Sequence, residues 1–176
     1  MNFQSFLAVE SIINGNIDSL ILQQAIFDIS GAEPVKNYLP PRSVGTIYDY
    51  GVNFVTREDG RVSASGTAAS GNNAQMLIPM GTIPAGDYVL QGCPNGGSIQ
   101  TWLMYIWDNN LNNGKGGRPD GNPGNNDYGS GLYFTAIENH NYTAVLRVVS
   151  GQTVQGLIFE PMITESINAG APYVKG

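Results

Sequence analysis

The chain has 176 residues, a length that corresponds to one domain, or to one domain with an additional arm. Its 8 basic and 14 acidic residues give a formal net charge of −6, and no basic cluster is present, which argues against binding to nucleic acid. Charged residues make up only 12% of the chain, about half of the usual share of roughly 25%. The single cysteine excludes an internal disulfide.

No stretch of the sequence approaches the roughly 18–20 apolar residues that cross a bilayer, so we expect no membrane insertion. The N-terminal stretch MNFQSFLAVESIING is apolar, but it has no Lys or Arg and Glu10 interrupts it. We therefore do not interpret it as a signal peptide. Polarity comes mainly from Asn, Gly, Ser, Thr and Gln, a pattern common on extracellular and virion β-proteins.

Residues 1–43 are predicted to form an arm and a linker that precede the main domain. A short helix is predicted between the N-cap Asn16 and the terminating Gly31. The helix is apolar around much of its circumference, so this domain, a sister subunit or a larger assembly must cover it. The candidate anchoring residues are Ile17, Leu20, Ile21, Ile26 and Phe27. Three prolines then indicate an extended linker over 34–43.

From about residue 44 onward, apolar residues alternate with a period of two and turn signals separate the segments. In GVNFVTREDGRVSASGTA, an Asp-Gly turn between two such segments predicts a β-hairpin. The apolar residues predicted to share one face of this hairpin are Val52, Phe54, Val62 and Ala64.

Six further segments have the character of strands. They are AQMLIPMG, 86–92, QTWLMYIWD, LYFTA, YTAVLRVVS and VQGLIFEPMITE. Eight short strands with this spacing predict an all-β fold, an antiparallel β-sandwich of the jelly-roll type over 44–166. An extended C-terminal tail is predicted over 167–176.

The segment 108–131 is longer than most connections in compact domains and has almost no apolar residues. Its side-chain oxygens are of the kind that calcium prefers, and calcium is the one cofactor that the sequence suggests. The candidate metal ligands are Asp108, Asp120, Asn122, Asn126 and Asp127. Their spacing is not that of an EF-hand, so the alternative is a solvated loop without a metal.

The strand QTWLMYIWD contains three large aromatic residues. Alternation places Trp102 on one face, and Tyr105 and Trp107 on the other. If the second face is exposed, Tyr105 and Trp107, together with Tyr128 in the following loop, form a candidate glycan-binding platform. The alternative is that the opposite sheet and a neighbouring subunit bury both faces.

The sequence contains residue types that serve in two kinds of catalytic site. Cys93 needs a nearby base to act as a nucleophile, but the only histidine, His140, lies in a separate turn. We expect Cys93 to be a packed residue at the end of a strand. Glycoside hydrolysis needs two carboxylates across a cleft, whereas the acidic residues here are scattered. We therefore predict no catalytic residues and no enzyme activity.

Four motifs, taken in order, resemble a β-sandwich module that recurs in phage and prophage structural proteins. They are GVNFVTREDGRVSASGTA, IPAGDYVLQGCPNGGS, DYGSGLYFTA and VSGQTVQGLIFEPMITE, and the resemblance covers about residues 44–166. It implies a jelly-roll-like sandwich of a tail, baseplate or fibre protein, and it carries over no catalytic residues. The segment 108–131 is longer than the corresponding connection in that module.

The resemblance and the arm together suggest a phage virion protein, located in the virion as a head fibre, capsid decoration, or tail or baseplate fibre. We expect other virion proteins, further copies of the chain and a host surface glycan as its partners. A trimer is favoured, because three-fold assembly would bury the apolar arm. One alternative is a stand-alone carbohydrate-binding or adhesion module, and another is a polysaccharide-cleaving enzyme.

Overall fold

The structure is a computed structural model that describes residues 34–111, 129 and 131–176. The strands in the described part are β1 Gly45–Asp49, β2 Val52–Thr56, β3 Val62–Thr67, β4 Ala74–Thr82, β5 Gly86–Gln91, β6 Trp102–Asp108, β7 Leu132–Ala136, β8 Asn141–Val148, β9 Thr153–Phe159 and β10 Met162–Glu165. A short 3-10 helix, Ser166–Asn168, follows β10. The predicted helical arm and its anchoring residues lie outside the described residues.

The predicted all-β class is confirmed. Three sheets, with the strand orders β1-β2-β3-β9, β10-β5-β7 and β4-β8-β6, pack against each other as an antiparallel β-sandwich. Every strand pair is antiparallel. In such a sandwich, alternate residues of each strand point into the core between the sheets.

The described residues form ten strands where the sequence predicted eight. The first difference is β1, whose residues are almost all exposed and therefore carry no alternation of apolar and polar side chains. The second is the segment VQGLIFEPMITE, which is divided into β9 and β10. Pro161 lies between these two strands, has no N–H for a ladder, and marks the point where the chain changes sheet.

One hydrophobic cluster fills the space between the sheets. The four residues predicted to share a face of the β2–β3 hairpin are all completely buried in it, and they are Val52, Phe54, Val62 and Ala64. On β6, Met104 and Ile106 are also completely buried, as alternation predicts. Burying apolar surface of this kind is the main favourable term in folding.

The compact unit comprises Lys36–Gly176 and so extends beyond the predicted 44–166 in both directions. The backbone N–H of Tyr38, in the predicted linker, donates to the carbonyl oxygen of Ile163 on β10 at 2.8 Å. In the tail, Lys175 Nζ donates to the carbonyl oxygen of Glu58 at 2.6 Å. Both chain segments therefore pack on the sandwich.

Among the described residues, no helix is long and apolar enough to cross a membrane.

Gly92 follows β5 and lies against Glu160, where the chain passes from β9 to β10. Its φ angle is +102°, and its carbonyl oxygen accepts a 2.9 Å hydrogen bond from the N–H of Glu160. A Cβ atom at this position would lie 1.8 Å from the carbonyl oxygen of Glu160. Only glycine permits this approach of two backbone segments without strain.

We predict that Gly92→Ala lowers the free energy of unfolding by about 3 kcal/mol or more, because the added methyl group meets backbone and the positive φ angle becomes strained. Urea unfolding followed by circular dichroism measures this loss. Gly45→Ala is the matched control, since nothing lies within 4 Å of a Cβ at Gly45. The control should stay within about 0.5 kcal/mol of the wild type. Equal stability of the two variants would contradict the assigned role of Gly92.

Candidate binding site

The register of the sheet β4-β8-β6 determines which side chains share its outer face. Ala144 and Leu146 of β8 face the core. The residues that alternate with them, Thr143, Val145 and Arg147, therefore lie on the outer face. The outward side chains of the three strands line a shallow depression of about 300 Å³. Its lining residues are Gln75, Leu77, Tyr105, Trp107, Asn109, Thr143, Val145 and Arg147.

Arg147 lies at one end of this depression and is held there by two neutral side chains. Its Nη2 donates to the hydroxyl oxygen of Tyr105 at 2.6 Å, and its guanidinium carbon lies 4.7 Å from the centre of the Tyr105 ring. With the Gln75 amide turned so that its oxygen faces the guanidinium, that oxygen accepts from Nε at 3.1 Å and from Nη2 at 2.8 Å. These contacts fix the position of the positive charge.

Trp107 lies at the other end, directly opposite Thr143 in the strand register. The Thr143 hydroxyl oxygen accepts a 3.1 Å hydrogen bond from Asn109 Nδ2. The Arg147 guanidinium carbon lies 4.7 Å from the centre of the Tyr105 ring, and this ring centre is 6.2 Å from that of Trp107. Tyr105 therefore lies between the two ends of the depression.

The predicted aromatic platform differs from the arrangement in the structure. Tyr105 and Trp107 do share the outer face, with ring centres 6.2 Å apart and an angle of 56° between the rings. However, Tyr105 is only 2% exposed, whereas Trp107 is half-buried. Trp107 is therefore the aromatic surface that a ligand would contact. Tyr128, the third predicted member, lies outside the described residues.

Arg147, Gln75 and Thr143 did not figure among the candidate residues from the sequence. Thr143 and Arg147 are polar residues four positions apart in the otherwise apolar run TAVLRVV, so alternation alone places these two on one face. What the sequence lacked was the pairing of β8 with both β4 and β6, which brings these residues next to Trp107 and Tyr105.

Asp108, a predicted calcium ligand, points into the protein rather than toward a loop. It is completely buried, and one oxygen lies 2.7 Å from His140 Nδ1 while the other accepts the N–H of Asn110 at 2.9 Å. The Tyr142 ring lies beside His140, and burial raises the pKa of the Tyr142 hydroxyl.

No cluster of three or more His, Cys, Asp or Glu within 34–111, 129 and 131–176 could hold a metal ion. Because hydrogen bonds already occupy both oxygens of Asp108, this residue acts as a buried acceptor. The other predicted ligands, Asp120, Asn122, Asn126 and Asp127, lie outside the described residues. Calcium binding by them stays a prediction.

Cys93 is buried in the hydrophobic cluster two residues after β5, as the sequence predicted. The side chain of His140, the only histidine of the chain, pairs with Asp108. A nucleophilic cysteine needs a base beside it, and the base considered for that role is engaged with a carboxylate.

Two of the scattered carboxylates lie close together, because both bind Arg61. Asp59 Oδ2 is 2.9 Å from Arg61 Nη1, and Glu160 Oε1 is 2.7 Å from Arg61 Nε. The hydrogen bond from Arg61 lowers the pKa of Asp59. A glycosidase acid needs a raised pKa, so this arrangement does not suit a general acid.

No protein-family model matches this chain, and no curated protein matches its sequence.

We predict that Cys93→Ser lowers the free energy of unfolding by about 1–2 kcal/mol, because a hydroxyl replaces a thiol in an apolar environment. Urea unfolding measures the change, and ligand binding by the folded variant should be unaffected. A variant that kept its stability but lost binding or any activity would contradict the packing role of Cys93.

Proposed function

We propose that this chain is a non-enzymatic phage virion structural protein whose β-sandwich binds host surface glycan through the depression on the outer face of β4-β8-β6. The observation that carries the glycan-binding part is the half-buried Trp107, which lies beside hydrogen-bonding side chains in the depression. An aromatic ring covers the apolar C–H face of a sugar, while nearby polar side chains bond its hydroxyls.

The groups beside Trp107 suit sugar hydroxyls. Thr143 and Asn109 supply a hydroxyl and an amide, and each has further donor or acceptor capacity beyond the bond that they share. At the other end, Gln75 adds an amide and Arg147 a guanidinium. The paired strands hold these groups in place, which limits the entropy lost when a ligand binds.

The virion part of the proposal rests on the resemblance of 44–166 to a phage structural module and on the composition. In this proposal the apolar arm anchors the chain to other virion proteins, and a homotrimer buries the arms of its three subunits. The exposed sandwich then faces the host as a head fibre, capsid decoration, or tail or baseplate fibre. A stand-alone carbohydrate-binding module is the alternative, and it uses the same depression.

The polysaccharide-cleaving alternative receives less support. Among the described residues, Asp59 and Glu160 share Arg61 as a partner, and the hydrogen bond from this guanidinium lowers the pKa of Asp59. The depression itself is lined by no carboxylate among the described residues. A ligand would therefore be held there without being hydrolysed.

We predict that Trp107→Ala weakens glycan binding about tenfold or more, because it removes the stacking surface. A glycan array probed with the full-length protein identifies ligands, and isothermal titration then measures the affinity of each variant. Tyr133→Ala is the matched control, since Tyr133 is a 57% exposed aromatic residue on β7, in another sheet. Folding of both variants is checked by circular dichroism. Unchanged binding by a folded Trp107→Ala variant would overturn the assignment of the depression.

The virion location has its own test. We predict that gold-labelled antibodies raised against the full chain decorate intact phage particles from the source organism in electron micrographs. Label on capsids would identify a decoration or head fibre, and label at tail tips would identify an adsorption protein. Particles without any label would contradict the virion part and leave the stand-alone module as the better proposal.

A further inference from the structure

We propose that the depression selects acidic glycans and that Arg147 binds the carboxylate of the sugar. This inference rests on the proposed glycan-binding function and adds the charge class of the ligand. The ring of a bound sugar contacts Trp107 at one end, and a negatively charged group of the same ligand lies against the guanidinium at the other end.

The depression carries an unbalanced positive charge. Arg147 is the one charged residue among the eight described residues that line it. Its two side-chain partners, Tyr105 and Gln75, are neutral, and within the part of the chain that the structure describes Arg147 makes no ion pair. The guanidinium is half-buried and no carboxylate of the described residues balances its charge, so an anionic group of a ligand can do so.

Two hydrogens of the Arg147 guanidinium are left for a ligand. Tyr105 and Gln75 take hydrogens from Nη2 and Nε. Neither hydrogen of Nη1 has an acceptor among the described residues, although Nη1 is not enclosed by protein. A guanidinium held by two side chains presents these hydrogens in a fixed direction, and a carboxylate is a stronger acceptor for a charged donor than a neutral hydroxyl.

Arg61, another arginine of the domain, is ion-paired within the fold, because Asp59 and Glu160 both bind its guanidinium. No carboxylate of the described residues lies within ion-pair distance of Arg147. Asp49, on the neighbouring β1, bonds to the backbone N–H of Gln75 at 2.7 Å instead of to the guanidinium.

The net charge of −6 makes the selection a short-range effect. A chain with this charge does not attract polyanions over long distances, so binding depends on direct contact with Arg147. Nucleic acid is therefore a poor candidate, because its affinity comes mainly from many phosphate contacts. A single carboxylate on an otherwise neutral sugar requires only one such contact.

The experiment compares acidic oligosaccharides with their own carboxyl-reduced forms. The probes contain glucuronate, galacturonate or N-acetylneuraminate, and reduction turns each carboxylate into a neutral hydroxymethyl group without other change. We expect the full-length protein to bind at least one acidic form about 10- to 100-fold more tightly than its reduced form, as titration calorimetry measures it.

Three variants locate the selectivity. Arg147→Gln should remove the difference in affinity between the acidic and the reduced oligosaccharide. Arg147→Lys should keep part of this difference, because the charge stays while the fixed direction of the donor hydrogens is lost. Gln75→Glu places a carboxylate against the guanidinium, so it should compete with the ligand's acid and lower only the acidic affinity. Arg57→Gln is the control, since Arg57 is an exposed arginine next to the β2–β3 turn, outside the depression.

The outcomes separate this inference from the proposed function. Equal binding of acidic and reduced forms, lost in Trp107→Ala, would overturn the acidic preference and leave glycan binding intact. No binding of any probe would overturn both. If Arg147→Gln fails to fold, Gln75→Glu and the wild-type comparison still decide the question. An acidic preference that persists unchanged in Gln75→Glu and Arg147→Lys would overturn the role of Arg147.

Discussion

The pairing of β8 with two neighbours is the interaction on which the rest of the structure depends. Because β8 is bonded to β4 on one side and to β6 on the other, its alternation is imposed on the whole sheet. One face supplies Tyr142, Ala144, Leu146 and Val148 to the core, all completely buried. The other face brings the outward side chains of three strands together. A slip of one residue would exchange the two faces and remove the core and the depression at once.

Much of the fold could be predicted because alternation of apolar residues and turn residues are visible in the local sequence of a strand or hairpin. The β2–β3 hairpin combines strict alternation with an Asp-Gly turn, and both signals need only the sequence between Val52 and Thr67. Strand β1 could not be found in this way, because its side chains are exposed on both faces and its place is determined by pairing with β2. The break at Pro161 is visible in the sequence, but the change of sheet there depends on distant partners.

The candidate site was predictable in part for the same reason. Tyr105 and Trp107 were found because large aromatic residues on one strand are conspicuous in a sequence. Arg147 was not among the predicted residues, because the neighbours of an arginine in an apolar strand are determined by the partner strands, which the sequence does not identify. Its neighbours Tyr105 and Gln75 are 42 and 72 positions away along the chain. The burial of Tyr105 also depends on packing, and it changes the expected two-ring platform into one accessible ring beside a positive charge.

A comparison of Arg61 with Arg147 shows how the same kind of side chain is ion-paired within the fold in one place and keeps an unbalanced charge in another. Arg61 is bonded by Asp59 and Glu160, which connects the β2–β3 turn to the end of β9, and the N–H of the same Glu160 donates to the carbonyl oxygen of Gly92. The two carboxylates compensate the charge of Arg61 within the fold, so this cluster leaves no positive charge for a ligand. Arg147 is held as firmly, but by an amide and a phenol, so that its position is fixed while its charge stays unbalanced. A rigid cation with neutral supports is preorganised for an anion, because binding needs no internal ion pair to break.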